Sequence, residues 1–94
     1  MPRAIFNGTV VAESDDYEVV EGNVYFPPDS IKTEYFKDSN LHTTCSWKGV
    51  ASYYTLEVGG EESTDAAWYY PEALPAADNI KGYVAFYPVV TVER

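Results

Sequence analysis

Val50-Ala51-Ser52-Tyr53-Tyr54-Thr55-Leu56-Glu57-Val58 is the stretch that decides the fold. Successive side chains of a strand point to opposite faces. Val50, Ser52, Tyr54, Leu56 and Val58 therefore share one face, and Ala51, Tyr53, Thr55 and Glu57 the other. Aromatic and β-branched residues at this period suit a pleated, half-buried surface. Before it, Leu41 to Cys45 reads as a second strand, joined to the first by a turn over Ser46–Gly49. After it, Gly59-Gly60-Glu61-Glu62-Ser63-Thr64-Asp65 reads as an acidic loop. Ala66 to Tyr70 reads as a strand, with Trp68 and Tyr70 on one face and Tyr69 on the other. Pro71, Pro75 and Asp78-Asn79 predict a loop with one helical turn. Tyr83–Tyr87 and Val89–Val92 read as strands separated by Pro88.

Period two also governs the first third of the chain. Asn7-Gly8 sits between Ala4-Ile5-Phe6 and Thr9-Val10-Val11, a hairpin signal because a type I′ turn needs positive φ at both central residues. Tyr17–Val20 reads as a strand that turns at Gly22-Asn23 and returns as Val24-Tyr25-Phe26. Pro27-Pro28 stops it, and Asp29 or Ser30 predicts the cap of a short helix reaching about Phe36. Lys37–Asn40 reads as loop. The expected class is mainly β: a small antiparallel sandwich, an open barrel or a β-tent-like pair of sheets, with one or two short helical turns. Ninety-four residues predict one domain, 1–94.

Charge narrows the function. Six Lys and Arg face fifteen Asp and Glu, a net charge of −9. Nucleic-acid binding needs a basic footprint, and the six cations are scattered. Docking on an anionic membrane is disfavoured for the same reason. The opening Met1-Pro2-Arg3-Ala4-Ile5 turns polar at Asn7 with no apolar signal core, and the longest uncharged apolar stretch, Val84–Val90, is far shorter than the ~20 residues of a membrane span. The single cysteine forms no intramolecular disulfide. A cytoplasmic location is the expectation.

Chemistry-bearing residues concentrate in His42-Thr43-Thr44-Cys45-Ser46-Trp47-Lys48-Gly49. Trp47 and Lys48 fall at the turn itself, where a ring and a cation must fold back over something. Lys48 is expected to pair with an anionic ligand group or with Glu57, Asp65 or Glu72. Cys45, His42 and Lys48 are the catalytic candidates, a thiol, an imidazole and an amine being the groups that nucleophilic and acid–base chemistry uses. Residues three apart on a regular strand point to opposite faces, which argues against a Cys45–His42 pair. One Cys and one His also fall short of the four ligands of a closed zinc site, so no metal is expected. No phosphate-cradling glycine loop and no dinucleotide glycine triplet is present, and no cofactor is expected. Nine Tyr, four Phe and two Trp supply rings. Trp47, Tyr53, Trp68 and Tyr70, with Lys48 and His42 as polar handles, form the expected ligand-binding set.

Thr44-Cys45-Ser46-Trp47-Lys48-Gly49-Val50-Ala51-Ser52-Tyr53 resembles the Thr-x-Cys-Pro-Trp-Lys-Gly-x-Ala-x-Tyr signature of the domain of unknown function 427 family. Ala67-Trp68-Tyr69-Tyr70-Pro71 and Ile80-Lys81-Gly82-Tyr83-Val84-Ala85-Phe86-Tyr87 resemble its later motifs, and Asn7-Gly8 to Ser14 and Tyr25-Phe26-Pro27 its opening. Ser46 stands where the family usually has Pro. The resemblance implies a compact, mainly β domain with no established activity, sometimes labelled a nucleotidyltransferase. It maps the family's motif residues onto Cys45, Trp47, Lys48, Gly49, Tyr53, Trp68, Tyr70 and Phe86.

The expected function is the binding of a small polar or anionic molecule in an aromatic-lined pocket. A transferase or cysteine-dependent enzyme is the first alternative, and an interaction module or homodimer the second.

Overall fold

Nine strands and four isolated bridge residues hold 57% of the residues of this computed structural model, which describes residues 1–94. The strands are β1 (Arg3–Phe6), β2 (Thr9–Glu13), β3 (Glu18–Val20), β4 (Asn23–Tyr25), β5 (Phe36–Cys45), β6 (Gly49–Val58), β7 (Glu61–Tyr69), β8 (Val84–Phe86) and β9 (Thr91–Glu93). They form three antiparallel sheets, ordered β2-β1-β9, β3-β4 and β5-β6-β7-β8, and none closes into a barrel. The mainly β expectation holds. The helical residues are all in 3-10 turns, Pro28–Ser30, Thr33–Tyr35 and Pro75–Ile80.

Three hairpins turn on paired positive-φ residues: Asn7-Gly8, Glu21-Gly22 and Gly59-Gly60. The first is as expected. The second lies one residue earlier than Gly22-Asn23, because Asn23 pairs with Val20 inside the ladder. The third continues straight into β7, so Glu61–Asp65 is strand rather than loop. Glu61–Ser63 pairs only with β6, leaving that half of β7 at the sheet edge, where charged side chains remain in water. The expected helix to Phe36 is two 3-10 turns separated by Ile31 and Lys32, and Ile31 bridges to Ala12. Lys37–Asn40 is not loop either. It belongs to β5, whose register slips between Asp38 and His42.

The strand β6 has two buried faces, one at each end. Ala51 and Tyr53 enter one core with Tyr25, Tyr70, Ala77, Ile80 and Ala85. Leu56 and Val58, on the opposite face, enter a larger core with Phe6, Val11, Phe26, Ala67 and Phe86. The larger core lies between the β2-β1-β9 sheet and the four-stranded sheet. The smaller core lies on the far face of the four-stranded sheet, under β4 and the Pro75–Ile80 turn. Both neighbours of β6 change register around the crossover, β5 between Asp38 and His42 and β7 opposite Thr55. Asp65, at φ 54, donates its backbone N–H to the Thr55 hydroxyl at 3.2 Å, and its carboxylate accepts from Ser39 of β5. The buried hydroxyl of Thr55 is thereby satisfied where the buried face changes.

Alternate positions on the same face therefore differ in burial. Leu56 is 0% exposed and Val50 is 51% exposed. Leu56→Ala is expected to cost about 2–5 kcal/mol in denaturant unfolding, and Val50→Ala less than about 0.5 kcal/mol. Equal losses at the two positions would contradict the crossover.

Candidate functional site

The turn between β5 and β6 aims a cation inward. Gly49 follows it at φ 114, a conformation that L side chains rarely adopt. A Cβ at Gly49 would lie 3.2 Å from the Glu72 carbonyl oxygen, so the segment after Tyr70 packs directly on this glycine. Leu74 donates its N–H to the Lys48 carbonyl at 3.0 Å. With its backbone pinned, Lys48 folds back over the smaller core.

The Lys48 side chain is only 8% exposed. Its Nζ lies 5.0 Å from the Trp47 ring centre and 5.8 Å from that of Tyr70, within the range of cation–π attraction. Its one ion-pair partner is Glu21, at the tip of the β3–β4 hairpin. The pairings expected with Glu57, Asp65 or Glu72 are not formed. Glu57 contacts Lys37, and Asp65 accepts from Ser39. Burial is the largest influence on the Lys48 ammonium and pushes its pKa down. The hydrogen bond to Glu21, with Tyr25, Tyr70 and the Glu21 charge, outweighs it and leaves the pKa above the ordinary lysine value. Lys48 is thus a protonated cation at neutral pH.

Rings run on from Lys48 across the smaller core. The Trp68 indole N–H donates to the Tyr25 hydroxyl at 3.2 Å, and the two rings meet edge to face. Trp68 also packs on Tyr87 with centres 4.7 Å apart, and Tyr87 stacks with Tyr53 at 6.5 Å. The Tyr53 hydroxyl is 2.9 Å from the Thr43 hydroxyl. No buried side-chain nitrogen or oxygen lacks a hydrogen-bond partner. Trp68 and Tyr53 are therefore held by their own neighbours. The cavity of the fold is elsewhere, an open cleft of about 760 Å³ lined by Asp15, Asp16, Tyr17, Glu18, Pro27, Pro28, Asp29 and Tyr83. Neither Lys48 nor Trp68 lines it.

The structure brings together Trp47, Lys48, Tyr53, Trp68 and Tyr70, with Cys45 packed at the margin of the same core. It separates His42 from them. His42 pairs with Ser52 in the ladder, which puts its side chain on the opposite face from Tyr53, 3.4 Å from the Ser52 hydroxyl. Cys45, opposite Gly49 in the same register, faces away from His42, as strand alternation predicts. No three His, Cys, Asp or Glu side chains converge as a metal site. Sequence reasoning missed Glu21, Tyr25 and Tyr87. Of these only Glu21 had a local signal, the adjacent Gly22, and its charge pointed away from a positive-φ position.

The fold and site define a small antiparallel β protein with a lysine enclosed by aromatic rings and closed by one carboxylate. The family model described as domain of unknown function (DUF427) matches residues 2–94, and the chain belongs to that family. No curated protein matches the chain. No helix is long and apolar enough to cross a membrane.

The tyrosines give this packing a pH signature. The Tyr87 phenol is pushed up to about 12, first by its hydrogen bond to Tyr53 and then by burial. Tyr54, stacked 4.6 Å from Tyr69, is pushed up to about 12 chiefly by burial. An unfolded tyrosine ionises near ~10. The native state thus holds these protons more tightly than the unfolded chain. That contribution is complete below about pH 10 and is lost as pH rises through about 12. Tyr70 is also raised, chiefly by burial, so tyrosinate absorbance should show at least two late-titrating groups, and the denaturant midpoint should fall between about pH 10 and 12. Nine tyrosines titrating together near ~10, with a constant midpoint, would contradict the packing.

Proposed function

We propose that this protein binds a small anionic molecule at the turn between β5 and β6, with Lys48 as the charged contact and Trp47 and Tyr70 as flanking rings. Tyr53 and Trp68 lie in the same core as Tyr70 and are linked to each other through Tyr87. The observation that carries the reading is a protonated lysine almost removed from water, held by two ring faces and a single carboxylate. Burying a cation is costly, and an unpaired one more so. A solvated lysine on a turn serves solubility equally well, so the enclosed position favours recognition of negative charge. Trp47 remains 38% exposed beside it and offers a face to an incoming ligand.

Nucleotide transfer, which the family is sometimes labelled with, has less support. It calls for several groups to neutralise phosphates or to hold magnesium. Around this turn there is one ammonium, and the carboxylate beside it is engaged with that ammonium.

The test is a thermal-shift panel of monocarboxylates, sugar phosphates, amino acids, and nucleotides with and without magnesium. A ligand at 100 times its Kd adds about 2.7 kcal/mol and raises the midpoint of a small protein by several degrees. The expected result is a shift with anions that is lost in Lys48→Met and kept in Lys48→Arg. A panel in which no anion acts, or in which Lys48→Met responds like the wild type, contradicts the reading.

A further inference from the structure

The Glu21 carboxylate occupies the place on Lys48 that a ligand's anion would take. Its backbone is held at φ 54, a region that disfavours glutamate and suits glycine, asparagine or aspartate. Its side chain is 55% exposed while that of Lys48 is 8% exposed, so the pair is asymmetric, a solvated carboxylate over an enclosed cation. Glu21 lies in the turn of a hairpin with only three residues per strand. The β4 side of that hairpin is anchored. Val24 and Phe26 enter the larger core, and Phe26 exchanges backbone hydrogen bonds with Val84. The β3 side is held by Tyr17 against the larger core, by Val20 against the smaller core and by an exposed bond from Asn79 to Glu18, with no residue of β3 fully buried.

We infer that the site's ligand is a monocarboxylate and that Glu21 is its built-in competitor, a gate that the ligand must displace from Lys48. This rests on the anion-binding reading above. Three observations fix the ligand class. The group seated there now is itself a carboxylate on a short methylene stem. One ammonium neutralises one negative charge, and Glu21 is paired with no second cation. A phosphate monoester carries about −1.5 to −2 at neutral pH, and the excess would face a chain of net charge −9. The flanking rings Trp47 and Tyr70 favour an apolar or aromatic stem. Because Glu21 is tethered, the ligand meets an open site only in the fraction of molecules whose gate is displaced, and its apparent affinity falls by that fraction.

The experiment titrates phenylacetate and inorganic phosphate into wild type, Glu21→Gln, Glu21→Asn and Lys48→Met, following the Trp47 indole N–H signal by NMR. Glu21→Gln keeps the shape and removes the charge. Glu21→Asn suits the positive φ and is too short to reach Lys48, so it serves if Glu21→Gln folds poorly. The expected result is phenylacetate bound at least tenfold more tightly by a Glu21 variant than by wild type. Phosphate should bind more weakly than phenylacetate, and Lys48→Met should bind neither. Equal phenylacetate affinity in wild type and both Glu21 variants, still dependent on Lys48, overturns the gate and leaves the anion site standing. Phosphate binding more tightly than phenylacetate overturns the ligand class. No binding by wild type or by either Glu21 variant overturns the gate and the site together.

Discussion

One strand changes its buried face partway along its length, and most of the architecture answers that constraint. At its start β6 turns Ala51 and Tyr53 toward the smaller core, and at its end it turns Leu56 and Val58 toward the larger one. A flat sheet packed on one side cannot satisfy such a strand. The β2-β1-β9 sheet covers one face, while β4 and the turn at Pro75–Ile80 cover the other. Both neighbouring strands slip register at the crossover, and the Ser39–Asp65–Thr55 hydrogen bonds hold the slips together. The same constraint explains the exposed residues. Lys37, Glu57 and Glu62 form an ion cluster in water on the face that Tyr53 buries further up the strand.

The site is a consequence of where that strand begins. Gly49 admits the backbone of Glu72 and Leu74, the Leu74 N–H pins the Lys48 carbonyl, and the Lys48 ammonium lies over Tyr70. Trp47 covers it from the adjoining position and Glu21 from a separate hairpin. Desolvation works against the charge, and the Glu21 carboxylate, with Tyr25 and Tyr70, outweighs it. Glu21 is the one anion paired with this cation. That makes the identity of the anion, internal or external, a natural point of control.

Much of this was legible in the sequence, and the failures have physical causes. The alternation of β6, the Asn7-Gly8 turn, the opposed faces of Trp68 and Tyr69 and the placement of Trp47 and Lys48 at a turn all follow from short-range geometry. The registers of β5 and β7 do not, because a slipped register leaves no mark on local alternation. Glu61–Asp65 reads as loop since charge is rare in central strands, yet it lies at an edge. Tyr53 and Trp68 pair across the ladder and share a face, while His42 pairs with Ser52 and lies on the other, which the register decides. Glu21 was invisible as the partner of Lys48 because it lies 27 residues away in an unrelated hairpin.

The central claim is that Lys48 is a cation enclosed by Trp47 and Tyr70 and held by Glu21. The most direct measurement is the NMR shift of the Lys48 ε-methylene protons in the wild-type protein at neutral pH. Ring currents from the two faces should move them well upfield of the free lysine position, and Trp47→Ala should return them part of the way. An ε-methylene signal at the free lysine position, unaltered by Trp47→Ala, would mean that Lys48 is solvated and would contradict the account.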